Sequence, residues 1–328
     1  MPRPGLPTQR NDVASLPRHV TCESVTRPGH PVRTAIITRT KNRPLLLVRA
    51  IASVLGQTDG DFVHVIVNDG GDMEELHGAL EPFRDRYAGR LLVVNNEKSL
   101  GMEAASNVGI SASYSNFVVI HDDDDSWQPE FLARTTSYLA EHAQLSSLRG
   151  CVTLANEVTE QIVGSRVVES ARTLMSFDAR DLTLWRMCAG NFFPPISFIY
   201  SREALGSVGL YREDLPVQGD WEFNLRFMKM FDVGFVNERL ANYHVRSARS
   251  QSGGAYGNSI GVPEKHRFYN RLLRNEFLRL DIAAGRFGIG YMVHVNPILL
   301  RLDRMSLRLL SMWEAIRYPG RLFRSNGQ

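Results

Sequence analysis

From Thr34 onward the apolar residues follow two alternating rhythms. Short unbroken runs at Thr34-Ala-Ile-Ile-Thr38, Phe62 to Val67, Arg90-Leu-Leu-Val-Val94 and Phe117 to Ile120 have the length and β-branched content of buried strands. Between them apolar positions recur every three or four residues. Leu47, Val48, Ile51, Val54 and Leu55 share one face of a helix that Asn42 would cap, Pro44 would open and Gly56 would close. Further helices are predicted over Glu74 to Tyr87, over Met102 to Ala112, and from Pro129 to about His142.

Strands alternating with helices predict an α/β fold, an open and mostly parallel sheet with helices on both faces. Sheets of this kind bind ligands at the carboxyl ends of their strands, where the strand order reverses. The polar residues that follow each strand are therefore the candidates: Arg39-Thr40-Lys41, Asn68-Asp69-Gly70-Gly71, and His121-Asp122-Asp123-Asp124-Asp125.

Composition changes this picture only at the ends. The chain has 328 residues, 43% of them hydrophobic and 22% charged, which suits a folded protein with a sizeable core. A net charge of +3 gives no argument for a nucleic-acid partner. From Glu264 to Gln328, however, there are 12 Lys and Arg against 5 Asp and Glu, so a basic tail follows a slightly acidic body. The first 31 residues hold six prolines and no apolar run, and read as a flexible arm rather than a signal peptide. Cys22, Cys151 and Cys188 are far apart and form no CxxC pair, which points to buried thiols in a reducing compartment. The longest uncharged apolar stretch, beginning at Phe287, is interrupted at its latter end by His294, Asn296 and Pro297, and is too short to span a bilayer. We expect a cytoplasmic protein, soluble or peripheral on the membrane face. No GxGxxG follows the first strand, and GxxxxGK[ST], HExxH and GxSxG are absent.

Four consecutive aspartates are the strongest chemical signal. Carboxylates this close repel one another, and a hard divalent cation shared with substrate phosphates would relieve the repulsion. The alternative is a solvated acidic turn, but the run directly follows a buried strand. A calcium loop is excluded, because Trp127 stands at its sixth position and Ala133 at its twelfth. Asp69 has two readings: an acceptor for a ring N–H of uracil, thymine or guanine, or part of an ordinary Asn-Asp-Gly-Gly turn.

These blocks in order, Ile36 to Pro44, Ala50 to Thr58, Val65 to Gly71, Gly101 to Gly109, Val119 to Asp125 and Gly219-Asp-Trp-Glu-Phe-Asn-Leu-Arg226, resemble family 2 glycosyltransferases with the GT-A fold. The likeness covers about residues 34 to 250. It implies an inverting, metal-dependent transfer of one sugar from a nucleotide-diphosphate donor (UDP, dTDP or GDP) to a carbohydrate or lipid-linked acceptor. Thr38 and Asp69 would contact the base, with Arg39 and Thr40 beside them. Asp122 and Asp124 match the two ends of a DxD motif, with Asp122 or Asp123 near the ribose and Asp124 on Mn²⁺ or Mg²⁺. Asp122 and His244 are further metal candidates, and a structural histidine is the alternative at 244. Asp220 matches the general base, with Glu213, Asp214 and Glu222 as rivals; it also suits an N-cap. Two departures stand out. Asn68 replaces an aspartate, and Ser106 replaces a common arginine, so that Arg39, Lys41 or Arg246 would have to grip the diphosphate.

The tail carries apolar stripes, Tyr269, Leu273, Phe277 and Leu280, then Leu302, Met305, Leu309, Met312, Trp313 and Ile316. Arg267, Arg271 and Arg274, and then Arg301, Arg304 and Arg308, accompany them. This reads either as a helical surface for anionic lipid or as a cap on the catalytic domain or a dimer contact. The expected organisation is an arm over 1–32, a catalytic domain over 33–263 and a helical extension over 264–328. Two other functions share parts of this pattern. A sugar-phosphate nucleotidyltransferase would need a glycine-rich loop after the first strand, and residues 34 to 55 contain no glycine. A non-catalytic nucleotide- or membrane-binding protein would not depend on Asp220.

Overall fold

Apolar alternation along the strands feeds two packed layers. Ile37, Val65 and Val67 point to one face of the sheet, and Ile36 and Ile66 to the other. All eight residues of the second of these strands are buried. The computed structural model describes residues 21–24, 32–175, 182–246, 256–257 and 263–317, excluding the side chains of 21–24, 304, 307, 308, 311 and 314–316. In chain order the elements are β1 (Thr21–Ser24), β2 (Val32–Thr40), α1 (Pro44–Leu55), β3 (Phe62–Asp69), α2 (Met73–Leu80), α3 (Arg84–Tyr87), β4 (Leu91–Asn96) and α4 (Met102–Ser111). Then come β5 (Ser115–Ile120), β6 (Ser126–Trp127), α5 (Phe131–Glu141), β7 (Leu148–Val163), β8 (Arg166–Met175), α6 (Leu184–Ala189) and β9 (Phe198–Ser201). The last are α7 (Leu205–Val208), α8 (Gly219–Met230), β10 (Asp232–Arg246), α9 (Pro263–Ala283) and α10 (Ile289–Arg317).

The strands form one sheet in the order β1-β4-β3-β2-β5-β9-β7-β10-β6, with β8 paired to β7. The α/β class holds, but the sheet is mixed rather than mostly parallel. β4, β3, β2 and β5 run parallel, whereas β9 is antiparallel to both its neighbours and β8 returns from β7 as a hairpin. β3 and β5 flank β2 on opposite sides, so the order reverses there and the crevice opens at the carboxyl ends of β2 and β5.

Three local expectations need correction. Residues 21–24 lie within the predicted arm, yet they pair antiparallel to β4 at the sheet edge; the remainder of the arm up to residue 31 is outside the described residues. The helix expected over Glu74 to Tyr87 is broken at Pro82, whose ring cannot continue an α-helix, and a 3-10 turn at Glu81–Phe83 separates α2 from α3. Asn42 does not cap α1. It adopts a left-handed φ of 53°, and its Oδ1 accepts from the Asp72 N–H at 2.7 Å, tying the turn after β2 to the turn after β3.

The extension is partly a cap. Leu273 of α9 and Val293 of α10 are buried in the main core, with Tyr269, Phe277 and Met292 packed beside them. Leu280 and, in the second half of α10, Leu302, Met305, Leu309, Leu310, Met312 and Trp313 remain exposed, and Ile316, Arg304 and Arg308 have side chains outside the described set. No helix among the described residues is long and apolar enough to cross a membrane.

Candidate active site

Register brings the strand-end residues together. Ile37 pairs with Ile120 and its carbonyl accepts from the His121 N–H at 2.9 Å, so Arg39 and Asp122 emerge side by side. Arg39 donates from Nε (3.0 Å) and Nη2 (2.7 Å) to Asp122 Oδ1. Its Nη1 reaches Ser106 Oγ at 2.6 Å and lies 3.7 Å from Glu103 Oε2. A guanidinium therefore does stand over α4 at Ser106, supplied by β2 instead of by the helix. Arg246 does not share that role: its side chain is fully buried and pairs with Asp124 and Glu160.

The four aspartates differ in environment. Asp122 accepts from Arg39 at Oδ1, and its side chain stays 23% accessible. Asp123 accepts from Thr40 Oγ1 (2.7 Å) and Arg43 (2.8 Å); burial pushes its carboxyl up to about 7, against the pull of Arg43. Asp124 resists the effect of burial because Arg43 (2.6 Å) and Arg246 hold it below the usual carboxylate range. Asp125 is buried and pushed well above that range by burial and by Asp124 and Asp122. Its Oδ1 accepts from the His244 N–H at 2.8 Å, and its Oδ2 is buried with no hydrogen bond.

Three predicted contacts are placed differently from expectation. Thr38 is fully buried, with its hydroxyl 2.8 Å from His64 Nε2, and does not line the crevice. Asp69 accepts four donors, Asn96 Nδ2 (3.0 Å), Ser99 Oγ (2.7 Å), Leu100 N (2.8 Å) and Gly101 N (3.0 Å). A carboxylate has about four acceptor sites, so Asp69 organises the loop entering α4 instead of presenting an oxygen to a base. Gly70 serves that close approach, since a Cβ there would lie 2.4 Å from Ser99 N. His244 is the third correction. Nδ1 donates to Glu160 Oε2 at 2.9 Å, and Nε2 lies 3.0 Å from Ser126 Oγ, so both ring nitrogens are engaged. Burial lowers its pKa, and a metal would have to displace Ser126.

Among the described residues no three His, Cys, Asp or Glu side chains are grouped as metal ligands. The donor chemistry still fits a cation of the kind that holds one or two carboxylates and completes its shell with substrate phosphates. Asp122 and Asp124 offer oxygens at one strand end. The buried Oδ2 of Asp125, which has no hydrogen bond, is a further oxygen at that strand end.

Across the crevice, α8 presents Asp220 from its first turn. The N-cap position belongs to Gln218, so Asp220 is not the cap; its Oδ1 accepts from the Trp221 N–H (2.8 Å) and its Oδ2 from Asn191 (2.8 Å). Burial raises its pKa, countered by the Trp221 N–H and by Arg39. The rivals have other partners. Glu222 is held bidentately by Arg226 (2.7 and 2.8 Å), Asp214 by Arg212 (2.6 Å), and Glu213 accepts from Asn107 (2.9 Å). Glu103 is a residue the sequence did not single out. Burial lifts it to about 7, opposed by Arg39 and reinforced by Asp220, Asp122 and Glu222. It packs so closely on Gly219 that a Cβ there would meet its Oε1 at 2.3 Å. The signal was two separate features, a glutamate in the first turn of α4 and a glycine before Asp220, that have meaning only when α4 and α8 touch.

The parallel half-sheet, the carboxylate run at its switch point and the facing Asp220 agree with the GT-A glycosyltransferase that the sequence resembles. The model for glycosyl transferase family 2 matches residues 35–207, and the chain belongs to that family. It is 27% identical over 265 residues to a PGL/p-HBAD biosynthesis glycosyltransferase of Mycobacterium bovis (strain BCG / Pasteur 1173P2), covering 79% of this chain and 88% of that protein. It is 24% identical over 306 residues to the uncharacterized glycosyltransferase YwdF of Bacillus subtilis (strain 168), covering 90% and 100%. Among solved structures, S. aureus TarS 1–349 aligns with a TM-score of 0.54 at 18% identity, covering 81% of this chain and 70% of that one. The chain spans 40% of the longer TarS chain. The mannosyltransferase PcManGT of Pyrobaculum calidifontis, in complex with GDP-Man and Mn²⁺, aligns with a TM-score of 0.51 at 15% identity over 85% and 73%.

Proposed function

We propose that this enzyme transfers a single sugar from a nucleotide-diphosphate donor to an acceptor hydroxyl by one inverting displacement, in glycolipid or polysaccharide assembly. The observation that carries the reading is Asp220, a carboxylate with raised pKa facing the Arg39–Asp122 end of the crevice while its rivals are ion-paired or hydrogen-bonded elsewhere. Asp220 takes the acceptor proton, and Asn191 and the Trp221 N–H fix its carboxylate for that transfer. Arg39, with the exposed Lys41 beside it, faces the donor diphosphate. The complexes of TarS with UDP-GlcNAc and of PcManGT with GDP-Man and Mn²⁺ support a nucleotide-sugar donor and a divalent cation. Asp122 and Asp124 would hold Mn²⁺ or Mg²⁺, which when bound neutralises charge on the departing diphosphate.

Calorimetry tests the donor site. UDP, dTDP and GDP should bind weakly without Mn²⁺ or Mg²⁺, and one of them at least about tenfold more tightly with it, because diphosphate and aspartates otherwise repel. Metal-independent affinity that survives Asp122→Ala would contradict the role of the aspartates.

The second half of α10 supports peripheral membrane contact. Leu302, Met305, Leu309, Met312 and Trp313 are each more than half exposed, and Arg317 lies over the Trp313 ring at 4.7 Å. The protein should sediment with anionic vesicles more than with neutral ones, less so as salt rises, and Leu309→Glu/Trp313→Glu should abolish the binding. Equal binding by that variant would remove the helix from the account.

A further inference from the structure

A second cavity, of about 370 Å³, opens between the start of α8 and the helices α9 and α10. Its lining includes Arg267, Arg271, Arg274, His266 and Gln218, and contains no carboxylate. Arg267 and Arg271 beside one hollow are the donor pair for a phosphate group, whose oxygens match their forked N–H geometry, and Arg274 adds a fixed positive charge behind them. Arg274 is fixed in place. Its Nε donates to Asn270 Oδ1 at 2.7 Å, Nη1 to the Val293 carbonyl, and the guanidinium lies 4.9 Å from the Trp221 ring centroid. Arg267 and Arg271 stand on exposed turns of α9; Arg267 pairs with Glu264, in a solvent-screened pair, and Arg271 lies over the Phe268 ring.

The cavity shares a wall with the proposed catalytic base. Gln218 lines it and sits two residues before Asp220 with a left-handed φ of 69°, a conformation that costs free energy for any residue but glycine. Its side chain is tied to α9: Gln218 Nε2 lies 3.1 Å from His266 Nδ1, and its Oε1 accepts from Asn270 Nδ2 at 3.1 Å. The donor diphosphate belongs with Arg39 and Asp122 at the strand ends, so a phosphate bound between α8 and α9 is a different one.

We propose that this cavity binds a phosphate group carried by the acceptor, and so delivers the acceptor hydroxyl to Asp220. The inference rests on the glycosyl-transfer reading and narrows its acceptor to a phosphate-bearing molecule, either a lipid phosphate or a soluble phosphorylated sugar.

Calorimetric titration of the full chain with farnesyl phosphate, glucose 1-phosphate and farnesol tests it, using the wild type and Arg267→Ala/Arg271→Ala. Both phosphates should bind the wild type and weaken about tenfold or more in the variant, and raised salt should reduce binding. Tighter binding of farnesyl phosphate assigns the source to a lipid carrier, and tighter binding of glucose 1-phosphate to a soluble acceptor. Phosphate affinity unchanged in a variant with wild-type melting temperature would overturn the proposal, as would farnesol binding as tightly as farnesyl phosphate. Because both substituted side chains are exposed, folding is not at stake, and Arg271→Lys, which keeps the charge, should lose less. UDP, dTDP and GDP affinities on the same samples separate the two levels. Absence of nucleotide binding to the wild type would count against glycosyl transfer itself, whereas nucleotide binding with no effect of the arginines would count against this cavity alone.

Discussion

Asp220→Asn should reduce glycosyl transfer by about 10²–10⁴-fold while leaving nucleotide affinity near that of the wild type. The amide preserves the size of the side chain, and its oxygen can still accept from Asn191 or the Trp221 N–H, so the first turn of α8 keeps most of its bonds. What it loses is the charge and basicity with which the carboxylate takes the acceptor proton. The neighbouring carboxylate provides the contrast. Glu222 is 2% exposed and locked to Arg226, so Glu222→Gln should act on stability, by weakening a buried pair, more than on turnover at saturating substrate. Steady-state kinetics and thermal melts on both variants separate the roles. Loss of turnover in Glu222→Gln with turnover retained in Asp220→Asn would reverse the assignment.

Arg246→Met should destabilise the fold by about 3–5 kcal/mol, the usual cost of stripping one partner from a buried ion pair. Arg246 joins Asp124 and Glu160, and Glu160 is further held by Arg49 at 2.6 Å and by His244 at 2.9 Å. Burial alone would raise the pKa of Glu160; His244 and Arg49 instead bring it down from 4.5 to about 2. A carboxyl depressed on folding contributes stability that is fully present above its unfolded value. That contribution should fade as pH falls from about 4.5 towards 2. Denaturant unfolding at pH 6 and pH 3 should therefore show a drop in stability for the wild type that is smaller in Glu160→Gln. An equal drop in both would mean that Glu160 is not the group being titrated.

What the pattern along the chain reveals, and what it hides, follows from burial. β2 to β5 are legible because both faces of a parallel strand are covered, leaving nearly unbroken apolar runs such as Phe62 to Val67. β8 carries no such mark. Eight of its ten residues are exposed and half are polar, and it exists as a strand because it pairs with β7. The acidic run is legible as chemistry because its place after a buried strand can be read locally, whereas Asp220 is legible as a base only through the resemblance of residues 219–226 to the family. Partners cannot be read that way. Thr38, Asp69 and His244 are polar residues at suitable chain positions, yet His64, the 96–101 loop and Glu160 with Ser126 claim them from 26 to 118 residues away or across a turn. Arg39 shows the converse. The arginine missing at Ser106 is supplied from a strand 67 positions earlier, a compensation visible only once β2 lies beside α4.

Proton NMR of the sugar released early in the reaction, before its anomers re-equilibrate, tests the central claim most directly. The protein, with Mn²⁺, is offered a panel of nucleotide sugars, with water as the default acceptor, and the H1 coupling of the first product is read. A single displacement assisted by Asp220 predicts one donor consumed, the anomeric configuration inverted, and no such product from Asp220→Asn. Retained configuration, or equal product from that variant, would contradict the account.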